Sequence, residues 1–389
     1  MKKLFFLILL FFTSIIVAQS PVPSTTKLEK IADGLLQPEG PVWIDSLGLL
    51  FSDIKANSVY LWLPADSSLT TYIQPSDSCN GLTLDLQGRL ILTQMKLRRV
   101  ARRENDGTIV SLASTYEGKK FNSPNDVVVK SDGSIFFTDP DFNIPYPFDH
   151  DMDFQGIYRL DTSGTLKLLD KTLEEPNGIC FSPDETKLYV NESHECEIYV
   201  WDVINDSTIA NKNLLYSIPA SGYADGMKTD PDGNIYCAGP TGVWIISPEG
   251  QYLDKIEVSG NPSNCAWGDQ DRKALYITGG SSLYRIRLAT TTDLKVTREL
   301  PAKFFKLYPN YPNPFNPETN ITFYLGQKSH AELKIYNLLG VEVQTLVDKD
   351  LEQGNYAYRF NGKGHCSGIY FYQLTAGNFK EQKKMVLVK

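Results

Sequence analysis

The chain has 389 residues, of which 42% are hydrophobic, and a formal net charge of −8. An acidic chain whose basic residues occur only in short runs is poorly suited to nucleic acid or anionic membrane surfaces, so we expect neither as a partner. The length predicts two domains, and we expect a monomer.

The first 18 residues have the pattern of a secretory signal peptide. Two lysines precede an apolar run from Leu4 to Val17, and small residues follow its end. The run is short and polar sequence follows it closely, which argues against a transmembrane helix. We predict cleavage near Ala18 or Ser20, which leaves a mature chain without a membrane span.

A repeated pattern occupies residues 25–288. Six times, an acidic or carboxamide residue begins a short apolar strand, an aspartate turn follows, and a second apolar strand leaves the turn. These residues, called the openers below, are Glu39, Asn80, Asn125, Asn177, Asp225 and Asn264, and they are separated by 41, 45, 52, 48 and 39 positions. A period of this length with several strands per unit predicts an all-β fold, a six-bladed β-propeller.

In a propeller the openers would converge on the central axis as a ring of oxygen atoms. Asn-Gly is also a common hairpin turn, but the turn of each unit lies downstream of its opener. Oxygen ligands that include two carboxylates favour a hard divalent cation. Ca²⁺ tolerates an irregular ligand set better than Mg²⁺ does, and Mn²⁺ and Zn²⁺ are further alternatives.

Six cysteines in an exported chain raise the question of disulfides. They are sparse and lie mostly in apolar strands, which predicts free buried thiols, and a Cys237–Cys265 bridge cannot be inferred. The chain has no Cys-x-x-Cys motif and no spaced histidine cluster, so a zinc site built on these ligands is poorly supported.

The C-terminal part changes in composition and pattern. Residues 289–304 predict a linker, and regular strand alternation over 305–389 predicts a small Ig-like β-sandwich. The motifs of this tail are Tyr308-Pro-Asn-Tyr-Pro-Asn-Pro-Phe-Asn-Pro, Ile335-Tyr-Asn-Leu-Leu-Gly, Ser367-Gly-Ile-Tyr and Lys383-Lys-Met-Val-Leu-Val-Lys. The tail resembles the type A sorting domain of the type IX secretion system of the Bacteroidota. This implies an extracellular or cell-surface location and the secretion machinery as a partner; the alternative is a carbohydrate-binding or structural sandwich.

The repeated region carries a second resemblance. Its motifs are Pro38-Glu-Gly-Pro-Val-Trp, Asn80-Gly-Leu-Thr, Asn122-Ser-Pro-Asn-Asp-Val-Val-Val, Glu175-Pro-Asn-Gly, Asp225-Gly-Met-Lys and Asn264-Cys-Ala-Trp-Gly. They resemble the gluconolactonase and regucalcin (senescence marker protein) family, which also includes luciferin-regenerating-enzyme-like proteins. The resemblance implies hydrolysis of a sugar lactone and a metal held by Glu39, Asn177 and Asp225, with Asn125 as a ligand or substrate contact.

The implied mechanism is Lewis-acid activation of the lactone carbonyl and attack by water. Asp225 is either the general base for that water or a pure metal ligand. Asn80 and Asn264 are expected to line the channel as substrate contacts. Other hydrolase routes lack their motifs, since the chain has no Gly-x-Ser-x-Gly and no His-Glu-x-x-His.

Three features bear on the substrate. Thr93-Gln-Met-Lys-Leu stands where many bacterial relatives have a His-Gly loop, so Met95 and its neighbouring lysine make the pocket more apolar and basic. The insertion Asp141–Phe154 is either a lid over the channel or a solvated loop. His194 either reaches the channel mouth or lies on the surface.

These residues favour a secreted metal-dependent lactonase that acts on a small sugar lactone. The enzymatic alternative is phosphotriester hydrolysis on the same scaffold. The alternative from another class is a non-catalytic propeller that calcium stabilises. Acidic side chains at positions 39 and 225 favour an enzyme, because a scaffold could place asparagine or apolar residues there.

Overall fold

The computed structural model describes residues 21–23, 26–142, 151–205, 208–288, 305–307, 310, 313–325, 327–352, 354–377 and 379–388. The chain divides into two compact units, residues 1–294 and 295–389. Every helix or strand assigned in the described residues is a β-strand, which confirms the all-β class. No helix in these ranges has the length and apolarity to cross a membrane. The predicted signal peptide (1–18), the predicted linker (289–304) and most of the insertion (143–150) lie outside the described residues.

The N-terminal unit contains six four-stranded antiparallel sheets, numbered I to VI. In spatial order, the strands of sheets I and II are Pro38–Ile44, Gly48–Asp53, Ser58–Leu63, Ser68–Ile73; and Cys79–Leu84, Leu90–Gln94, Arg99–Arg103, Ile109–Ala113. Those of sheets III and IV are Val127–Val129, Ile135–Asp139, Gly156–Leu160, Leu166–Asp170; and Pro176–Phe181, Lys187–Glu192, Glu197–Asn205, Thr208–Ser217. Those of sheets V and VI are Met227–Thr229, Ile235–Gly239, Gly242–Ile246, Tyr252–Glu257; and Pro262–Gly268, Ala274–Gly279, Ser282–Arg287, Glu29–Ala32. A two-stranded hairpin, Thr115–Tyr116 with Lys119–Lys120, follows sheet II and precedes sheet III in the chain.

The first strand of each sheet, called its inner strand, contacts the inner strand of the next sheet, and that of sheet VI contacts that of sheet I. The sheets therefore close a ring. Glu29–Ala32 comes before sheet I in the chain but pairs with Ser282–Arg287 as the outer strand of sheet VI. This pairing joins the start of the unit to its end.

The hydrophobic core lies in the gaps between neighbouring sheets. Leu50 of sheet I and Leu92 of sheet II belong to one buried cluster. The gap between sheets VI and I is filled in the same way, with the rings of Trp43 and Tyr276 stacked 5.4 Å apart. Similar clusters fill the other gaps. Because burial of one large apolar side chain contributes roughly 1.5–3 kcal/mol, each gap is a substantial source of stability.

All six cysteines are free thiols, and the five in the N-terminal unit are buried. This confirms the prediction of free buried thiols there. Burial raises the pKa of these five thiols, which keeps them protonated and unreactive. Cys366, in the C-terminal unit, is exposed.

The C-terminal unit contains two antiparallel sheets around one hydrophobic core. The three-stranded sheet consists of Phe305–Leu307, Glu318–Leu325 and Gly354–Asn361. The four-stranded sheet consists, in spatial order, of Glu342–Leu351, Ser329–Asn337, Gly368–Ala376 and Phe379–Leu387. Both sheets contribute apolar side chains to the core, among them Phe323 and Ile335.

Candidate active site

The six openers occupy equivalent places at the start of the inner strands. Glu39, Asn80, Asn177 and Asn264 lie within these strands, whereas Asn125 and Asp225 stand two residues before theirs. Five openers are between 2% and 5% exposed, and Asp225 is partly exposed. The Asn-Gly dipeptides therefore lie in the inner strands and not in hairpin turns.

Local backbone irregularity sets the direction of the opener side chains. Asn80 and Asn177 lie inside register shifts of their strand pairs, and similar shifts adjoin Glu39 and Asn264. A β-bulge releases a residue from regular pairing and turns its side chain. These bulges explain how successive sheets present polar side chains at one end of otherwise apolar strands.

The glycine after an opener lets the next opener approach closely. A Cβ atom on Gly178 would lie 2.4 Å from the backbone oxygen of Asp225, and one on Gly226 would lie 1.9 Å from the Asn264 side chain. Gly40 and Gly81 face the next opener in the same way. Any larger residue would push neighbouring inner strands apart.

In sheets I to IV, a side chain of the second strand ties the sheet to the next opener. The donors are Ser52 to the Asn80 oxygen (2.7 Å), Thr93 to the Asn125 oxygen (2.6 Å), Thr138 to the Asn177 oxygen (2.7 Å), and Asn191 to the Asp225 oxygen. Each acceptor is a backbone carbonyl. The ring is thus held by a repeated cross-sheet hydrogen bond.

The residue after each of these donors fixes the loop that leads to the opener of its own sheet. Asp53 accepts from the amides of Leu36 and Gln37 at 2.8 and 2.9 Å. Asp139 accepts from the amides of Asn122 and Ser123, both at 2.8 Å. Gln94 and Glu192 make comparable contacts. Sequence reasoning missed these polar pairs, although Ser-Asp, Thr-Gln, Thr-Asp and Asn-Glu at the ends of apolar strands were a visible signal.

The Glu39 carboxylate is hydrogen-bonded within the ring. One carboxylate oxygen accepts from the Gly40 amide at 2.8 Å and from the Asn264 side chain at 3.1 Å. Burial raises the pKa of Glu39 to about 7, and these hydrogen bonds only partly oppose that rise. Asn264 also accepts from the Cys265 amide, so its carboxamide orients the Glu39 carboxylate.

Asp225 and Asn177 face each other across sheets IV and V. Burial raises the pKa of Asp225 well above its ordinary value, as does the charge of Glu39, while a hydrogen bond from Asn177 lowers it. The Asn177 Nδ2 donates to the Ser193 Oγ at 3.4 Å, whereas its Oδ1 is buried without a hydrogen-bond partner. An unsatisfied buried oxygen is costly unless a ligand occupies it.

An ion pair that the sequence did not predict lies beside the ring, between the buried Asp126 and the partly exposed Lys228. Asp126, which is 1% exposed, stands where four other inner strands have glycine, and its carboxylate is 3.9 Å from the Lys228 Nζ. The same carboxylate accepts from the Ile179 amide at 3.3 Å, so it contacts the next sheet. Burial lowers the pKa of Lys228, but Asp126 and its other neighbours raise it, and the net shift is upward.

Replacing Lys228 with Met is expected to destabilise the chelator-treated protein by about 2 kcal/mol, because Asp126 would keep a buried charge without its partner. Urea denaturation measures the loss. The Asp126→Asn, Lys228→Met double variant should recover most of it. Unfolding of Lys228→Met at the wild-type urea concentration would show that the pair contributes nothing to stability.

The remaining predicted residues have different surroundings. The Asn80 Nδ2 lies 3.7 Å from the Met95 sulfur, and both residues are buried. The Asn80 Oδ1 is buried without a hydrogen-bond partner. The backbone oxygen of Asn125 accepts from Gly81 and Thr93. His194 is exposed, with its ring centroid 5.9 Å from that of Tyr223.

Among the described residues, one group of three His, Cys, Asp or Glu side chains brings its ligand atoms within 4.8 Å of one another: His330, Glu332 and Asp348 in the C-terminal unit. It is largely exposed, and His330 already contacts Asp348 and Asp350. The ring forms no such group in these ranges because four of its six members are carboxamides. Oxygen ligands of that kind suit a hard cation.

Two family models match the chain. Residues 37–281 match the SMP-30/Gluconolactonase/LRE-like region, and residues 309–389 match the secretion system C-terminal sorting domain. The first match includes all six openers, and the second lies within the C-terminal unit.

The chain is also similar to individual lactonases and to a solved gluconolactonase structure. A gluconolactonase of Zymomonas mobilis is 32% identical over 302 residues, which cover 68% of this chain and 82% of that protein. A pentonolactonase of Haloferax volcanii is 26% identical and covers 62% and 80%. The solved structure of a Xanthomonas campestris gluconolactonase superposes with a TM-score of 0.65 at 31% identity and covers 71% and 93%.

Proposed function

The chain belongs to the SMP-30/gluconolactonase/LRE-like family and carries a C-terminal secretion sorting domain, and we propose that it is a secreted metal-dependent hydrolase that opens a sugar lactone. The observation that carries this proposal is the closed ring of openers, in which Glu39 and Asp225 are the two carboxylates. The similar gluconolactonase and pentonolactonase support a sugar lactone as the substrate class.

The six sheets are, in this proposal, the blades of a six-bladed β-propeller, and the C-terminal unit is an Ig-like sandwich. Contacts between successive inner strands, and the apolar cluster that joins sheet VI to sheet I, support the propeller. The openers then lie at one end of a central channel. The proposed domain boundaries are 25–288 for the propeller and 305–389 for the sandwich.

The residues of the ring suit a divalent cation. The Asn177 Oδ1 is buried without a partner, and burial raises the pKa values of both Glu39 and Asp225. The carboxylates of these two residues and Asp126, together with the ammonium of Lys228, leave two negative charges. We assign Glu39, Asn177 and Asp225 as ligands and Asn125 as the fourth, with Ca²⁺ as the expected cation because the ligands are irregular oxygens.

When bound, the cation supplies Lewis-acid stabilisation of the charge that develops on the carbonyl oxygen. Asp225 accepts a proton from water as the water oxygen bonds to the lactone carbonyl carbon. The bond from that carbon to the ring oxygen then breaks, and the ring oxygen takes up a proton to become a hydroxyl group.

Substrate recognition is assigned to the other channel residues. Asn80 offers its carboxamide to the hydroxyl groups of a sugar, and Met95 adds an apolar surface beside Asn80. The alternative role of Asn125, in place of cation ligand, is the same kind of substrate contact. Asn264 acts mainly through Glu39, because both ends of its carboxamide are engaged. We assign His194, which is exposed, to the mouth of the channel as a further substrate contact.

The test is lactone opening by the purified protein, measured as proton release after subtraction of the spontaneous rate. δ-Gluconolactone and a pentonolactone should be hydrolysed with added Ca²⁺ and not after chelation. Full activity after chelation would remove the metal mechanism. Turnover of phosphotriesters alone would favour the alternative hydrolase, and no turnover of either class would favour a binding propeller.

The sorting domain directs the protein to the type IX secretion system and thus to the cell surface or medium. Deletion of residues 305–389 is expected to abolish secretion while the lactonase activity of a cell extract is retained, because none of the openers lies in this range. Activity in medium and extract measures both effects. Secretion of the truncated protein at the wild-type level would contradict the assignment.

A further inference from the structure

Asn191 contacts the backbones around two openers at once. It lies near the end of the second strand of sheet IV and is completely buried. Its Oδ1 accepts from the Gly178 amide at 3.2 Å, next to Asn177, and its Nδ2 donates to the backbone oxygen of Asp225. One carboxamide therefore connects the inner strands that carry Asn177 and Asp225.

This arrangement differs from those at the equivalent positions of the other sheets. Ser52, Thr93, Thr138 and Thr278 are hydroxyl residues, and Ala238 has no polar side chain. The Ser52 hydroxyl ties sheet I to Asn80 alone. Among the side chains at these equivalent positions, only the carboxamide of Asn191 has a donor and an acceptor on separate atoms, so it can hold two strands at a fixed separation.

The register shift of sheet IV explains why this contact matters. Pro176 pairs with Glu192 and Ile179 pairs with Val190, so Asn177 and Gly178 lie outside the regular ladder. The side chain of Asn191 supplies the hydrogen bond that the Gly178 amide would otherwise lack. Without it, the backbone beside Asn177 would have a buried unpaired donor.

Ser193, two residues later, constrains the same opener. Its Oγ accepts from the Asn177 Nδ2 at 3.4 Å and donates to the Ala224 oxygen at 2.8 Å. Because Nδ2 points to Ser193, the Asn177 Oδ1 is the atom left without a partner. The backbone and the side chain of Asn177 are thus both set from one short segment.

We propose that Asn191 is a positioning residue that holds Asn177 and Asp225 at the separation required for cation binding. The inference rests on the proposed metal site. Outer contacts that orient ligands typically contribute 10–100-fold to metal affinity. Loss of the Asn191 carboxamide should therefore reduce the free energy of cation binding more than it reduces the free energy of unfolding.

The test measures Ca²⁺ and Mn²⁺ binding to the chelator-stripped protein by calorimetry. Asn191→Ala should raise the Kd by about 10–100-fold. Asn191→Thr introduces the residue found at three equivalent positions; it keeps a donor for Asp225 but loses the acceptor for Gly178, and a smaller increase is expected. Ser52→Ala is the matched control, because it removes the corresponding tie at Asn80. Its Kd should stay within about twofold of the wild-type value, while its Tm should fall by about as much as that of Asn191→Ala.

The outcomes separate the inference from the proposed function. A wild-type Kd in Asn191→Ala, or in Asn191→Thr if the alanine variant does not fold, would overturn the positioning role and leave the metal site standing. An equal loss of affinity in Ser52→Ala would also overturn it, because general loosening of the ring would then suffice. Failure of the wild-type protein to bind either cation would overturn the metal site and the inference together.

Discussion

Asp225→Asn is expected to lower kcat for lactone opening by about 10³-fold, because general-base catalysis typically contributes 10²–10⁴-fold and a carboxamide cannot accept the proton. The Asn oxygen remains a cation ligand, so binding should weaken without being lost. A pH-stat measures the rate, and calorimetry measures the Kd. Asp230→Asn is the control: this buried carboxylate accepts hydrogen bonds in a turn of sheet V, and its variant should keep the wild-type kcat.

The Asp225→Asn variant also distinguishes the two roles considered for Asp225. If Asp225 is the general base, activity stays low at saturating cation concentration. If it is only a ligand, excess cation restores the rate. Wild-type activity at ordinary cation concentration would exclude both roles.

Glu39→Gln is expected to weaken cation binding by about 100-fold or more, since the number of charged ligands strongly tunes the affinity of such sites. Lactone opening should fall with site occupancy and recover in part at high cation concentration. Glu249→Gln removes the same formal charge from an exposed turn of sheet V, so it controls for the change in net charge. Equal affinities of Glu39→Gln and the wild type would remove Glu39 from the ligand set.

Glu39→Gln should also stabilise the chelator-treated protein at pH 8, by on the order of 2 kcal/mol. Burial raises the pKa of Glu39 from its ordinary value of 4.5 to about 7, so folding is penalised once the carboxyl must ionise. The penalty grows as pH rises from about 4.5 to 7 and is absent below that window. Urea denaturation at pH 4 and pH 8 measures the difference, and equal gains at both would contradict this origin.

The first strand pair of each repeat could be predicted from the sequence. Each unit has an apolar segment, an aspartate turn and a second apolar segment, and this local pattern determines a hairpin before any long-range contact forms. The period of the openers indicated the number of repeats. The free thiols followed from their sparse placement in apolar strands, and the structure confirms them.

The supporting contacts of the site could not be predicted in the same way. Asp126 belongs to a recognisable motif, yet its carboxylate contacts sheet IV and approaches Lys228, which is about a hundred residues away. Asn191 and Ser52 each begin a polar pair at the end of an apolar strand, which is visible in the sequence, but the sequence does not show what they contact. Their partners lie in the next sheet, and no local spacing indicates which carbonyl a side chain will meet.

The sequence by itself determined the all-β class, the repeated unit and the chemical character of the ring, because these depend on side-chain pattern and residue type over short spans. Only the tertiary structure decided how the openers are held. Closure of the ring brings Glu39 to Asn264 across most of the N-terminal unit, and it aligns Asn191 between Asn177 and Asp225. Such contacts depend on the packing of whole sheets against one another, and packing is a property of the folded chain.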